Sequence, residues 1–336
     1  MGGSEPARQY QTCHDLSNRP LIPPPPETVA RFAALAAELG LSLRASLPAL
    51  PLDAEVNERV DAWFADSRSG EMEYLERGRP NFPDLRVWKP WARGALLFAM
   101  PYARPTGGFR GGGRVARYAL GKDYHHVLGR RLEKLGRALR AGGFISQFRA
   151  VVDAAPVLER EWAIRGAVGF RGKNTLLLHS RHGPWILLGE LLINVELPAW
   201  APPAERAGQC GSCTRCLDAC PTQAFDGPYL LDPRRCLSYL TIDSTVPIPP
   251  PLRVPMGDWV FGCDVCLEVC PFGAHEPDHG EAWGLHPGLQ LQLEELLPLS
   301  PEVFHKLFTG SPIRRAGPEG LARNACPAER SPRPCR

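Results

Sequence analysis

Eight of the eleven cysteines fall between positions 210 and 270. Cys210, Cys213, Cys216 and Cys220-Pro221 run as C-x2-C-x2-C-x3-C-P. Cys236 stands alone, and Cys263, Cys266 and Cys270-Pro271 follow as C-x2-C-x3-C-P. Thiolates two residues apart in a tight turn can meet three corners of one iron–sulfur cubane, and the fourth corner must come from elsewhere. In two-cluster bacterial ferredoxins it comes from the last cysteine of the other run. Crossed over in that way, Cys210, Cys213, Cys216 and Cys270 would hold one 4Fe–4S cluster. Cys220, Cys236, Cys263 and Cys266 would hold the second, with Cys236 replacing the missing first cysteine of the later run. The proline after each closing cysteine stops a regular helix or ladder there. A disulfide framework fits poorly, because the chain is long, opens without an apolar signal core, and carries its cysteines in one block. Zinc uses two C-x-x-C pairs, four ligands per ion, and not a crossed three-plus-one pattern. Cys13, Cys326 and Cys335 lie outside the pattern and read as spare thiols.

Clusters of this type pass single electrons and break no bonds themselves, so the bond-breaking group must be sought upstream. Asp153 is one candidate. Residues 144–152 read as a strand and 157–165 as a helix, with Pro156 suited to its first turn and Gly166 to its stop. Asp153 then lies past the carboxyl end of a strand and ahead of a helix, where open α/β sheets bind ligands. Helix capping is the competing role, since Asp is favoured there. As a proton donor near neutral pH, Asp153 would need a pKa raised by burial. The stretch 166–174 invites a P-loop reading but has Ala167 where the first glycine belongs and Asn174 in place of Ser or Thr. Its glycines suit backbone passing close to a large flat ligand. The glycine-rich stretch 107–113 lacks the dinucleotide-binding pattern and reads as a mobile flap.

The elements that must carry these residues follow from periodicity. Helices are expected over 27–39, 53–65 and 71–77, a further one is entered through 117–126 and runs to about 139, and strands are expected over 42–47 and 95–100. Residues 175–179 and 185–193 add further strand or helix segments, the second interrupted by Gly189 and Glu190. Prolines at 198–203 mark a boundary. The expected division is a flexible leader (1–27), an α/β domain (28–198), a cluster domain (199–288) and a helical, basic C-terminal segment (289–336), with amphipathic helices at 289–297 and 301–308 and a basic tail at 310–323. The length of 336 residues suits one large domain and one small one, and 44% hydrophobic with 22% charged residues is ordinary globular composition. No apolar run approaches the roughly 20 residues of a membrane span. Oxygen-sensitive clusters and free thiols point to a reducing cytoplasm. The net charge is only +3, yet residues 101–150 carry eleven Lys and Arg against Asp123 and Glu133 alone. That concentration suits a polyanion such as nucleic acid, or equally a solvated helix face.

Taken together, these motifs resemble the epoxyqueuosine reductases, cobalamin-dependent iron–sulfur enzymes of queuosine synthesis in tRNA. The likeness is carried by Tyr118 with Asp123, Tyr124 and His125, by Asp153-Ala-Ala-Pro156 with Glu159 and Arg160, and by Gly169 to Thr175. Leu188-Gly189-Glu190, the stretch from Cys236 to Ile242, the run from Gly310 to Arg315 and the eight cysteines complete it. The resemblance implies a nitroreductase-like α/β domain binding base-off cobalamin, fused to a ferredoxin-like module with two 4Fe–4S clusters. It implies Asp153 as proton donor, and Arg77, Tyr118, Tyr124, Lys173, Asn174, Leu177, Leu188, Ser238, Cys263 and Asp264 around the corrin. For tRNA it implies Arg114, Arg117, Arg314, Arg315 and Arg323 on the anticodon stem-loop. An external one-electron donor such as flavodoxin or ferredoxin, and a monomer with no membrane contact, complete that picture. A reductive dehalogenase-like corrinoid enzyme and a simple ferredoxin-type carrier are the rival readings.

Overall fold

The computed structural model describes residues 27–201, 208–274, 277–279 and 283–326. The expected leader, Glu27 apart, lies outside the described residues, as do Cys13 and Cys335. In chain order the main elements are α1 (Glu27–Glu38), β1 (Leu43–Pro48), α2 (Ala54–Ala65), α3 (Glu73–Gly78), α4 (Leu85–Trp88), β2 (Gly94–Pro101), β3 (Gly107–Gly108), β4 (Arg114–Val115), α5 (Tyr124–Ala141), β5 (Phe148–Val151), α6 (Glu159–Arg165), β6 (Phe170–Arg171), β7 (Leu177–Leu178) and β8 (Ile186–Ile193). The cysteine-rich half holds α7 (Arg215–Asp218), β9 (Phe225–Gly227), β10 (Leu230–Leu231), α8 (Leu237–Ile242), α9 (Pro250–Met256), β11 (Trp259–Phe261) and α10 (Val265–Glu268), and α11 (Pro301–Leu307) and α12 (Gly317–Ala325) close it.

The central sheet runs β1-β2-β8-β5, with every neighbour antiparallel. Its middle strands are apolar on both faces because both faces are covered. On one side Leu96, Phe98, Leu191 and Ile193 meet Val29 and Phe32 of α1 and Leu128, Leu132, Leu135 and Leu139 of α5. Those four leucines recur at helical spacing and are fully buried. Gly189 lets α5 come close: a Cβ there would lie 2.8 Å from a Leu128 methyl carbon. On the other side Leu97, Val151 and Leu192 pack on Trp162 and Ala163 of α6.

Five expectations change. The sheet is antiparallel, so no ligand crevice of the open parallel kind exists at Asp153; the carboxyl end of β5 instead faces the start of α5. Helix α6 begins at Glu159, leaving Pro156 in the preceding turn. The glycine-rich stretch is an ordered hairpin, β3–β4, whose β4 adds in parallel to β11. The segments at 289–297 form two 3-10 turns, and the expected basic tail is a packed helix, α12. Phe109, Val115 and Leu120 share one core with Val260, Phe261, Leu289, Phe304, Phe308, Ile313 and Leu321, so residues 107–120 fold with the C-terminal part of the chain.

Asn324 on α12 is completely buried and its amide donates to the carbonyls of Thr241 (2.7 Å) and Val260 (2.9 Å). An Asn324→Ala variant leaves both carbonyls unpaired. It is expected to lose about 1–3 kcal/mol of unfolding free energy per carbonyl left bare, read as a lower denaturant midpoint at unchanged slope.

Candidate active site

The end of β5 and the start of α5 meet above a cavity of about 2060 Å³. That exceeds the roughly 300–1,000 Å³ of an ordinary small-molecule pocket. Its walls carry Trp63, Phe64, Tyr74, Tyr118, Tyr124 and Phe170, with Arg44, Arg59, Arg77, Arg160, Arg165, Arg171, Arg314 and Arg315 among them. Flat aromatic faces and guanidinium donors suit a large planar ligand bearing amide and phosphate groups.

Asp153 stands at the floor with φ +55, a left-handed conformation that non-glycine residues rarely hold. Its backbone N–H donates to Glu159 Oε1 at 2.6 Å. The Tyr124 hydroxyl donates to its Oδ2 at 2.9 Å, and His125 Nε2 lies 3.2 Å from the same oxygen. Asp123 caps α5: its Oδ1 accepts from the His125 N–H at 3.0 Å and holds the imidazole Nδ1 at 2.7 Å. The Tyr124 and His125 rings stack at 4.0 Å, and Tyr118 meets Tyr124 edge-on at 5.8 Å. The cap therefore fixes the imidazole from one side and the loop carboxylate fixes it from the other.

Charges in this network are not where burial alone would put them. Burial pushes the Asp153 carboxyl up, but the His125 and Tyr124 hydrogen bonds and the His125 charge outweigh it and hold the group below the ordinary carboxylate range. The side chain opens onto the cavity with 62% of its surface exposed, which limits the burial effect. The upward shift expected of Asp153 is thus not found. The raised group is His125: burial lowers it, yet Asp123 and Asp153 together lift it to about 9. At neutral pH the imidazole carries the proton. Burial keeps the Tyr118 and Tyr124 hydroxyls protonated.

The thiols lie in two groups of electrostatic neighbours. Cys216 feels Cys210 and Cys270, and Cys270 feels Cys210 and Cys213. Cys236 and Cys263 feel Cys220, and Cys266 feels Cys236 and Cys263 and, behind them, Cys216 of the first group. Two sulfurs also take backbone donors, Cys210 from the Lys173 N–H at 3.4 Å and Cys220 from the Ala224 N–H at 3.3 Å. The β6–β7 hairpin closes on the first group, where Phe170 and Leu178 pack against Cys210, Cys270 and Phe272. Gly183 sits against the turn after Cys270: a Cβ there would lie 2.5 Å from the Gly273 nitrogen.

The other expected site residues divide. Arg77, Tyr118 and Tyr124 line the cavity, as do Arg314 and Arg315. Lys173 Nζ instead binds the Gly211 carbonyl (2.7 Å), and Asn174, buried, reaches the Cys266 carbonyl (3.4 Å), so both face the cysteine loops. Leu177 belongs to the core behind the sheet, with Leu188 packed against it. Ser238 lies within α8, where its carbonyl accepts from Thr241. Asp264 is buried beside Cys263 and accepts the Arg117 N–H at 2.7 Å; burial lifts its carboxyl to about 7. Arg114 and Arg117 both bind Glu268 and stack on Trp259 and Trp185. Arg323 spends its guanidinium on the carbonyls of Leu240, Ser244 and Val246. None of the eleven basic residues at 101–150 lines the cavity.

Comparison with known proteins bears on this geometry. Residues 209–273 match the model of a 4Fe-4S double cluster binding domain, and residues 83–154 match the model described as epoxyqueuosine reductase QueG, DUF1730. An epoxyqueuosine reductase of Gloeobacter violaceus is 36% identical over 310 residues, covering 89% of this chain and 94% of the relative. This chain belongs to the epoxyqueuosine reductase family. A solved epoxyqueuosine reductase with a modified tRNA stem loop aligns over 89% of this chain and 80% of its own, at a TM-score of 0.75 and 26% identity. The family's Bacillus subtilis member, at 0.73 and 25% over the same shares, was captured with an aspartate-bearing catalytic loop swung out of the active site. Among the described residues, no helix is long and apolar enough to cross a membrane.

The His125 shift has a defined sign. Its folded-state value lies above the ordinary 6.5, so attraction to Asp123 and Asp153 is fully present below about 6.5 and lost as pH climbs through about 9. Thermal stability is expected to fall more steeply between pH 7 and pH 9 in the unaltered chain than in His125→Gln, read from melting curves across that range.

Proposed function

We propose that this chain reduces epoxyqueuosine to queuosine in tRNA, with Asp153 delivering a proton drawn from His125. The Tyr124–Asp153–His125 cluster at the floor of the large cavity carries this reading. Deoxygenating an epoxide breaks two carbon–oxygen bonds and consumes two electrons and two protons, the oxygen leaving as water. A base-off cobalamin in the cavity would supply the metal centre for that reduction, fed one electron at a time by two 4Fe–4S clusters.

The residues' own work is proton and electron placement. His125 stores a proton against two carboxylates, and Asp153, sharing that hydrogen bond, passes it to the oxygen as negative charge develops there. Tyr124 keeps the carboxylate turned to the cavity. Cys210, Cys213, Cys216 and Cys270 form the proposed outer ligand set, flanked by exposed Gly211, Ser212, Thr214 and Arg215, where an external one-electron donor can approach. Cys220, Cys236, Cys263 and Cys266 form the proposed inner set. A tRNA substrate and thiolate-held clusters put this work in the reducing cytoplasm.

Asp153→Asn is expected to keep its iron content and fold while turnover drops about 10²–10⁴-fold, measured as queuosine formed in a modified stem-loop by nucleoside mass spectrometry. Near-normal turnover would remove Asp153 from the chemistry.

Arg314, exposed at the cavity rim, is the proposed phosphate contact. Arg314→Ala should weaken stem-loop binding and flatten the plot of log K against log salt by about 0.7–0.9. An unchanged slope would show that this arginine meets no phosphate.

A further inference from the structure

We propose that Glu159 and Glu190 share a proton and together position Asp153, an inference that rests on the reading of Asp153 as the proton donor. Glu190 lies in the middle of β8, opposite Leu97 on one side and Val151 on the other. Cross-strand partners share a face, so its side chain enters the apolar layer beneath α6. It is 1% exposed and its Oε2 has no hydrogen-bond partner. An ionised carboxylate in that position would be very costly, whereas a protonated one is not. The neighbour of its carboxyl is Glu159 at the start of α6, with which it is hydrogen-bonded. Two carboxyl groups in such contact need a proton between them. Glu159 Oε1 accepts the Asp153 N–H at 2.6 Å. The shared proton therefore anchors a carboxylate that pins the catalytic loop's backbone in its left-handed turn.

The groups facing this pair are few. Asp153 approaches from the loop, Arg160 from α6 and Tyr124 from α5. Arg149, on the same face of β5, turns its guanidinium over Trp88. Burial, with Glu159 beside it, pushes Glu190 well above the ordinary range; burial and then the Asp153 charge lift Glu159 to about 7. The proton thus sits on Glu190 at neutral pH, and the sign for stability is opposite to that of a salt bridge. Both folded-state values exceed the ordinary 4.5, so the folded state is favoured at low pH and loses stability as pH rises from about 4.5 through about 7.

The experiment compares the full chain with E159A, E190A and E190Q by hydrogen exchange at the Asp153 amide and by steady-state kinetics on a modified stem-loop. E159A is expected to exchange the Asp153 amide about tenfold faster or more, since a hydrogen bond to a charged acceptor is lost. Its kcat should fall while KM holds. E190A should show the same pattern, and E190Q, which still donates to Glu159, should restore amide protection. Should E190A not fold, E190Q still decides the matter. Its infrared spectrum at neutral pH must lose a protonated-carboxyl band, and its melting temperature must fall less between about pH 5 and pH 8. Unchanged Asp153 exchange in E159A, or an E190Q spectrum identical to that of the unaltered chain, overturns the pair's role. Normal turnover in Asp153→Asn would instead defeat the proton-donor reading while leaving the amide result standing.

Discussion

The site depends on one strained residue. Asp153 holds a left-handed backbone without being glycine, a conformation that costs on the order of 1–2 kcal/mol. Three contacts hold it there: the Tyr124 hydroxyl, the His125 imidazole and the Glu159 carboxyl. Those groups are placed by two elements. Tyr124 and His125 open α5, whose four buried leucines fix it against the sheet, and Glu159 opens α6 on the opposite face. Asp153, past the end of β5, is held between them. Sheet, helices and cap are thus the means by which a single carboxylate is kept turned toward a cavity.

The electrostatics of the gap follow from how few cations it contains. Asp123, Asp153, Glu159 and Glu190 crowd one region, where His125 touches Asp123 and Asp153 and the Arg160 charge acts on Asp153 and Glu159. Four negative charges there would repel one another through a poorly screened interior. The structure resolves this by protonation in two places. One proton is on His125, at the cavity, and another is on the Glu190 side, sealed behind the strand. The first proton faces the cavity and the second does not.

Much of this was legible in the sequence, and the limits have a physical pattern. The cysteine grouping could be read because ligand spacing is a local property of tight turns. Strands β1 and β2 and helices α1, α2 and α5 showed in their periodicity to within a few residues, because their burial is one-dimensional, whereas the run that forms β8 could equally be strand or helix. Asp153 could be placed at a strand end, but its charge state could not. That depends on His125, 28 residues earlier, arriving beside it from another element. Glu190 stood out as an acid in an apolar run, yet nothing nearby in sequence names Glu159 as its partner. The Gly310–Arg323 stretch looked like a charged tail because Arg323 and Asn324 are polar. Their polarity is spent on buried carbonyls, which only tertiary contact reveals.

The arginines show that charge density along the chain does not locate the cavity wall. The basic stretch at 101–150 owes much of its charge to the outer face of α5, and Arg114 and Arg117 turn inward to Glu268 on the cysteine-rich half. Stacked on Trp259 and Trp185, those two arginines tie β4 and its neighbours to the loop that carries Cys263, Cys266 and Cys270. The guanidinium groups that do face the cavity come from β1, α2, α3, α6, β6 and the segment after Gly310. Several are already paired, Arg59 and Arg171 with Glu161, Arg165 with Asp53 and Arg315 with Asp243. Pairing keeps such a wall from repelling itself while leaving guanidinium edges turned to the opening. A cavity built this way can accept a large anionic ligand without carrying a large net charge, consistent with a chain whose overall balance is only +3.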